Sequence, residues 1–442
     1  MTSNDSLRLA TTLADAALAG DWDADHLRLS LFRVVGRRRA WLKDLAAELL
    51  VAHPRPPADR PRELAKFILA SAAFERARVT PRPLPVPKLV LPAPTSTVRR
   101  PFRTPRIDDA GALADLLGIT IAELDAHADT RLRGRRARSA GIAHYRYEWV
   151  KRSAGARLLE VPKPRMRTCH RQILDEVLAP IPVHPACHGF VLGRSAITGA
   201  REHVGAQVVV TLDLEHFFAS VTAARVWGVL RAAGYPEPVA HLLTGFTTHA
   251  TPVAVLATMP AGRDPSRDFR LRRRLAAPHL PQGAPTSPQL ANLVLFPLDR
   301  RLAALAESAG ATYTRYADDL TFSGTRRALR GNASGLIAAV GRIVREEAFR
   351  LHPAKTRVRH AHERQSVTGI VVNQRTNVAR TEYDQVKAVL HEARQRGPGA
   401  ANRTGQPDFR AHLVGRISWI ASTNSDRGAR LRASFEAVDW SV

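Results

Sequence analysis

A pair of adjacent carboxylates between two β-prone runs constrains the fold of this 442-residue chain more than any other feature. Residues 313–316 read Tyr-Thr-Arg-Tyr and residues 320–323 read Leu-Thr-Phe-Ser, with Ala317, Asp318 and Asp319 between them. β-Branched and aromatic residues on both sides of a short polar turn predict a β-hairpin with the two carboxylates at its tip. An ordinary acidic turn would have the same pattern, so the chemistry depends on what accompanies the hairpin.

A third carboxylate, Asp213, follows the apolar run Val-Val-Val-Thr-Leu at residues 208–212. Such a run predicts a strand buried on both faces, which delivers Asp213 where the sheet meets solvent. An Asp in this position is more often a cap or turn residue. Three carboxylates on neighbouring strands can nevertheless hold two divalent ions roughly 3.5–4 Å apart, and oxygen ligands suit Mg²⁺ or Mn²⁺ rather than zinc.

The loop Pro281-Gln282-Gly283 precedes Ser287-Pro288 and a helical run. We predict that another group closely approaches the backbone at Gly283, that Ser287 is the N-cap, and that Pro288 is the first helical residue. As structure alone, this stretch would be a loop and a cap.

Taken in order, the three elements resemble the motifs of reverse transcriptases: an Asp-bearing strand followed by Phe217 and Phe218, a Pro-Gln-Gly-x-x-x-Ser-Pro loop, and a Tyr-x-Asp-Asp hairpin. The resemblance implies an α+β right-hand polymerase with fingers, palm and thumb and a helical N-terminal extension. It also implies RNA-directed DNA polymerase activity on dNTPs with two Mg²⁺ ions, which Mn²⁺ can replace. The metal ligands would be Asp213, Asp318 and Asp319.

Further residues match the family on both sides of these motifs. Lys355, within Leu351–Thr356, resembles the lysine proposed to protonate the leaving pyrophosphate, and Phe218 holds the steric-gate position that excludes a ribose 2′-hydroxyl. Without the resemblance, Lys355 would be a surface lysine and Phe218 a core residue. The nucleotide-binding residues that the resemblance implies are Phe218, Lys163, Gln282 and Gly283.

Two stretches, 188–203 and 367–373, resemble the bacterial retron branch, which carries Asn-Ala-x-x-His in the first and Val-Thr-Gly in the second. Both motifs are associated with a structured non-coding RNA. The second motif matches fully, whereas Gly199 stands where the first usually has Asn. The RNA-binding residues implied in these stretches are His203, Val367, Thr368 and Gly369.

The retron resemblance implies that the enzyme copies part of a cognate structured RNA, its template and primer, into a branched RNA–DNA hybrid called msDNA. It also implies antiphage defence with an accessory effector protein. Only about 70 residues follow the Val-Thr-Gly element, which favours a compact retron enzyme over a group II intron-like one. Protein-primed or untemplated DNA synthesis, as in other bacterial defence polymerases of this fold, stays open as an alternative.

The charge balance favours a polyanionic partner. Lys and Arg number 66 against 40 acidic residues, a formal charge of +26, although a general preference for arginine would give the same balance. Before the Pro-Gln-Gly loop lies a basic segment that is either an RNA backbone clamp or a solvated charged loop. Its candidate RNA-binding residues are Arg270, Arg272, Arg273 and Arg274.

Composition along the chain divides it into five predicted segments. They are a helical N-terminal extension (1–78), a Pro/Arg-rich linker without a core (79–106), a basic helical segment (107–144), the fingers and palm (145–373) and a helical thumb (374–442). We expect residues 1–140 to bind RNA or a partner protein. Two cysteines without metal-ligand spacing and no long apolar run predict a cytoplasmic protein that does not enter a membrane.

Overall fold

The computed structural model describes residues 3–37, 39–80, 83–88, 95–132, 134, 144–152, 155–327 and 333–441. Parts of the predicted proline-rich linker (79–106) and of the predicted basic helical segment (107–144) lie outside these ranges. Among the described residues, no helix combines the length and hydrophobicity that crossing a bilayer requires. In the predicted basic helical segment (107–144), Arg133, Arg135, Arg136 and Arg138 lie outside the described residues.

Helices dominate the described part of the chain. They are α1 (Ser3–Leu18), α2 (Ala24–Val35), α3 (Ala40–Ala52), α4 (Pro61–Ala70), α5 (Ala72–Val79), α6 (Ala110–Leu117), α7 (Ile121–Ala128), α8 (Pro164–Gln172), α9 (Ala196–Arg201), α10 (Phe217–Ser220), α11 (Ala223–Ala232), α12 (Glu237–Thr247), α13 (Val253–Ala257), α14 (Pro265–Leu275), α15 (Ser287–Val294), α16 (Phe296–Ser308), α17 (Ala333–Glu346), α18 (Arg380–Arg396), α19 (Pro398–Ala401), α20 (Phe409–Thr423) and α21 (Ser425–Glu436). A π-helical turn spans Ile173–Leu178, and a 3₁₀ turn spans Pro353–Lys355.

The strands form antiparallel pairs. They are β1 (Tyr145–Arg152), β2 (Gly155–Pro162), β3 (Val208–Asp213), β4 (Thr312–Tyr316), β5 (Asp319–Gly324), β6 (Arg357–His360), β7 (Ser366–Val367) and β8 (Ile370–Val371). The central sheet has four strands in the order β4-β5-β3-β6, and β1-β2 and β7-β8 are separate hairpins. Helices and antiparallel strands mixed along the chain confirm the predicted α+β class.

Contacts divide the chain into two compact units, each discontinuous in sequence. Unit 1 comprises Met1–Ile181 and Val221–Leu290, and unit 2 comprises Pro182–Ser220 and Ala291–Val442. The N-terminal helices therefore belong to the same unit as β1 and β2, while the central sheet and the C-terminal helices belong to unit 2.

Helices α1–α5 of unit 1 enclose a hydrophobic core of their own, as the helical periodicity of this region predicts. The ring of Phe74, which is 1% exposed, meets Trp41 edge-to-face at 5.9 Å between ring centroids. This bundle is fastened to the rest of the unit, because the Asp59 carboxylate accepts a hydrogen bond from the Arg231 guanidinium at 3.0 Å.

The described part of the proline-rich segment packs against its neighbours, so the prediction of a linker without a core is wrong there. Leu84 joins the N-terminal core, and the Lys88 amide donates to the Val34 carbonyl at 2.7 Å. Farther along, Arg99 passes so close to Gly234 that a Cβ at Gly234 would lie 1.8 Å from the Arg99 carbonyl oxygen. Extended proline-rich backbone thus lies along the surface of unit 1.

In unit 2, the valines of β3 are buried at the centre of the sheet. The predicted C-terminal helical region forms a cluster in which α18, α20 and α21 share one core. The buried residues of that core are Val378, Val386, Leu390, Leu413, Ile417, Ile420 and Leu431.

Candidate active site

Strand β3 carries Asp213 to the edge of the central sheet, as the apolar run predicts. Its pairing with β5 places Asp213 directly opposite Asp319. Opposed residues of an antiparallel pair direct their side chains to the same face about 5 Å apart. Beyond the paired residues, the Leu214 amide donates to the Asp318 carbonyl at 2.9 Å, and the His352 amide donates to the Asp213 carbonyl at 2.8 Å. Backbone hydrogen bonds therefore fix Asp213 on both sides.

The predicted hairpin with adjacent carboxylates is confirmed. Tyr316 pairs with Asp319, which leaves Ala317 and Asp318 as a two-residue turn. Ala317 has a φ of +54°, a left-handed conformation that an L residue adopts only when its surroundings enforce it. The turn therefore needs support from neighbouring groups.

That support comes from Arg315, whose side chain is 0% exposed. Its guanidinium donates to both carboxylate oxygens of Asp299 at 2.8 and 2.7 Å and to the side-chain oxygen of Asn292 at 3.0 Å. A further bond, at 3.1 Å, reaches the carbonyl of Ala317 inside the turn. The hydroxyl of Tyr313 completes the network by donating to Asp299 at 2.9 Å.

The sequence analysis did not identify the Arg315 network, although a signal was present. Asp299 lies in a helical register with Leu295, Leu298 and Leu302, where each neighbour is buried. A carboxylate on the apolar stripe of a helix needs a buried cationic partner. Arg315, on the same strand face as Tyr313, is that partner.

Carboxylate clustering at the sheet edge creates electrostatic strain. Burial, together with the neighbouring Asp318 and Asp213, raises the pKa of Asp319 to about 7, although the Lys355 ammonium acts to lower it. Lys355 Nζ donates to Asp213 Oδ2 at 2.5 Å, and half of the lysine side chain is exposed. A cation already lies against these acids, and a second positive charge would relieve their remaining repulsion.

These residues fit a divalent metal site by the chemistry of their donors. Carboxylate oxygens are the preferred ligands of Mg²⁺ and Mn²⁺. Among the described residues, one group of acidic and histidine side chains has all its ligand atoms within 4.8 Å of one another. This group is the exposed set Asp21, Asp23 and His26. Asp23 caps α2, accepting from the amides of Asp25 and His26, so we assign it a capping role. The carboxylates of the sheet edge are spread more widely.

Phe218 lies on α10, five residues after Asp213. Its ring is half-buried and meets the buried ring of Phe217 edge-to-face at 4.9 Å between centroids. The partial exposure of Phe218 leaves ring surface available to a substrate, whereas Phe217 belongs to the core.

The Pro-Gln-Gly loop lies in unit 1, against β2. The Gln282 carbonyl accepts from the Glu160 amide at 2.8 Å, and its side-chain oxygen accepts from Arg157 Nε at 2.6 Å. Gly283 has a φ of +127°, and a Cβ there would lie 3.2 Å from the Glu160 carbonyl oxygen, which confirms the predicted close approach. Helix α15 begins at Ser287 itself, so the predictions that Ser287 is the N-cap and Pro288 the first helical residue are wrong by one residue. The Ser287 hydroxyl donates to the Pro281 carbonyl at 2.7 Å.

A buried ion pair supports the same strand of unit 1. Glu160 Oε2 lies 2.8 Å from His279 Nε2, and Oε1 accepts from the Thr251 hydroxyl at 2.7 Å. Burial alone would raise the pKa of Glu160 and lower that of His279, but the attraction between the two groups reverses both directions. Lys163, the predicted nucleotide ligand at the end of β2, is half-buried, and its amide donates to the His144 carbonyl at 2.9 Å.

His203 is fully buried, which corrects the prediction that its side chain contacts RNA. Its two ring nitrogens lie 2.7 Å from the hydroxyls of Ser323 and Thr314, on the two strands of the β4-β5 hairpin. His203 therefore joins the segment after α9 to the sheet.

The remaining RNA-binding predictions fall on two elements. Val367 is buried, whereas Thr368 and Gly369 form the turn between β7 and β8, both with positive φ. The predicted arginine clamp lies on helix α14 of unit 1 rather than in a loop. On that helix Arg272 and Arg273 are exposed, and Arg270 and Arg274 are half-buried.

We expect acid to lower the free energy of unfolding of unit 2, because His203 is buried there. Burial lowers its pKa to about 4, below the value of roughly 6.5 expected in an unfolded chain. Between these values the unfolded chain binds a proton that the folded protein rejects, so stability present above pH 6.5 is lost as pH falls towards 4. One such group contributes about 1.4 kcal/mol per pH unit.

The measurement is the free energy of unfolding in urea at pH 7, 6 and 5. We expect His203→Gln to reduce its change with pH by up to about 1.4 kcal/mol per pH unit. His412→Gln, at an exposed position, is the matched control and should keep the wild-type slope. Equal slopes in all three proteins would contradict the assignment.

Comparison with known proteins identifies the family. The family model described as reverse transcriptase (RNA-dependent DNA polymerase) matches residues 150–383, about half of the chain. This range contains the central sheet, with its β4-β5 hairpin, and the Pro-Gln-Gly loop.

Curated relatives narrow the comparison to retrons. The retron Mx65 reverse transcriptase of Myxococcus xanthus is 41% identical over 72% of this chain and 69% of its own length. The Mx162 enzyme of the same organism is 37% identical over 75% of this chain and 67% of its own length. The retron Ec86 reverse transcriptase of Escherichia coli is 29% identical over 61% of this chain and 76% of its own length. The chain therefore belongs to the reverse transcriptase family, as an RNA-directed DNA polymerase of the retron type.

Proposed function

We propose that this enzyme copies part of a cognate structured RNA into a branched RNA–DNA hybrid (msDNA), primed from a guanosine 2′-hydroxyl, as part of antiphage defence with an accessory effector protein. The observation that carries the catalytic part is the meeting of Asp213, Asp319 and Lys355 at one sheet edge. The similarity to retron enzymes supports the RNA-templated part.

We assign polymerase subdomains by element. The β1-β2 hairpin and α8 would serve as fingers, the four-stranded sheet as palm, and α18–α21 as thumb. Structured RNA would contact the exposed arginines of α14, which attract phosphate, and the turn at Thr368 and Gly369. The cytoplasm supplies the dNTPs and the reduced state of the two free cysteines, Cys169 and Cys187.

Asp213, Asp318 and Asp319 would hold two Mg²⁺ ions, with Mn²⁺ as a substitute. When bound, such ions activate the attacking hydroxyl and stabilise the leaving pyrophosphate. The carboxylates themselves position the reacting groups, because β3 and the hairpin are fixed by backbone hydrogen bonds and by the Arg315 network.

Lys355 has two roles in this proposal. Its ammonium neutralises Asp213 at 2.5 Å before substrate binds. With half of its side chain exposed, Nζ can move from Asp213 and donate a proton to the departing pyrophosphate oxygen. Phe218 would pack against the sugar of the incoming nucleotide and exclude a 2′-hydroxyl.

Primer extension on an RNA template tests the catalytic assignment. Asp213→Asn and Asp319→Asn should each lower the rate of dNTP incorporation on the order of 10²-fold or more, because each removes a proposed metal ligand. Asp426→Asn changes an exposed carboxylate in unit 2 and should leave the rate unchanged. Wild-type rates in the two site variants would refute the assignment.

Sugar discrimination tests Phe218. Phe218→Ala should raise incorporation of ribonucleotides relative to deoxynucleotides by roughly 10- to 100-fold, since a missing group opens space for the 2′-hydroxyl. The measurement is the ratio of kcat/KM for dGTP and GTP on one RNA template. Phe217→Ala is the adjacent control, which should lower the unfolding temperature and leave that ratio intact. Identical ratios in wild type and Phe218→Ala would show that Phe218 does not exclude the ribose 2′-hydroxyl.

A further inference from the structure

An exposed apolar loop lies beside the catalytic hairpin in unit 2. Phe190 is 50% exposed, and the side chain of Leu192 is fully exposed. The Phe190 ring lies 6.1 Å from the Tyr316 ring between centroids, with 36° between the planes. Because Tyr316 directly precedes the turn that carries Asp318, the loop extends the surface of the active site with aromatic and aliphatic groups.

The backbone of this loop is tightly held. The Arg194 guanidinium donates to the carbonyls of Pro185 at 2.5 Å and Cys187 at 2.7 Å. Asn292, which also binds Arg315, donates to the Gly189 carbonyl at 2.9 Å. A Cβ on Gly189 would lie 2.6 Å from the Ala317 amide nitrogen, so the loop backbone presses directly on the catalytic turn. A fixed backbone holds Phe190 and Leu192 out in solvent.

Phe190 also has a strained backbone. Its φ is +59°, which is unfavourable for a bulky side chain and unrestricted for glycine. Strain of this kind persists where surrounding contacts enforce it, and it is concentrated at functional sites. A strained, exposed aromatic residue beside the turn of the β4-β5 hairpin therefore indicates a position that binds a ligand.

We propose that Phe190 and Leu192 form a stacking surface for a nucleobase of the template–primer at the catalytic hairpin, which rests on the proposed function. The face of any base can stack on an aromatic ring, so the contact tolerates every sequence, as copying an RNA requires. The neighbouring Tyr316 ring continues the apolar surface towards the carboxylates. The contact would hold the base layer next to the reacting end in a fixed position.

The test uses the full chain and an RNA template annealed to a DNA primer with 2-aminopurine beside the primer terminus. Phe190→Gly should raise the Kd for this duplex roughly 5- to 150-fold and reduce the quenching of 2-aminopurine. Its unfolding temperature should equal or exceed that of wild type, because glycine relieves the strain. Phe190→Tyr, which keeps the ring, should retain tight binding. Val253→Ala, at a 58% exposed position of α13, should behave as wild type.

Binding within about twofold of wild type and unchanged quenching in Phe190→Gly would overturn the proposal. If that variant instead lost a co-purifying protein and kept its affinity for the duplex, the loop would be a protein-docking surface, which also overturns it. Binding is measured without synthesis, and Asp319→Asn should keep the stacking signal while losing extension. A failure of catalysis is thereby separated from a failure of stacking.

Discussion

The buried contact between Arg315 and Asp299 is the interaction on which the rest of the active site depends. Removing two charges from water is costly, and the cost is offset only when every donor and acceptor finds a partner. Here the guanidinium is satisfied by Asp299, Asn292 and the Ala317 carbonyl, and Asn292 in turn holds the Gly189 carbonyl. One network therefore fixes helix α16, the strained catalytic turn and the apolar loop beside it.

This support matters because the sheet edge is electrostatically unfavourable by itself. Burial and the repulsion from Asp318 and Asp213 raise the pKa of Asp319 to about 7, and Lys355 offsets only part of that rise. Clustered carboxylates in a rigid frame cannot relax apart, so they keep their affinity for cations. In the proposed chemistry, the repelling carboxylates bind the metal ions. The buried Arg315 network and the β3 hydrogen bonds keep these carboxylates close together despite their repulsion.

Local patterns predicted the strand that ends at Asp213 and the hairpin that carries Asp318 and Asp319, because both elements are encoded by neighbouring residues. Positions decided by tertiary packing were harder. Burial of His203 depends on hydroxyls more than 100 residues away, at Thr314 and Ser323. The packed proline-rich segment depends likewise on distant neighbours, such as Gly234. Arg315 is an intermediate case. The helical register of Asp299 indicates that this carboxylate needs a buried cationic partner, but it does not identify which residue that partner is.

The most direct test of the central claim is to sequence the nucleic acid that co-purifies with the wild-type protein, expressed together with its native flanking DNA, beside an Asp318→Asn, Asp319→Asn double variant. We expect a short DNA joined to one structured RNA in the wild-type sample, and RNA alone in the variant. DNA unrelated to any bound RNA would contradict templated synthesis and point to untemplated or protein-primed polymerisation.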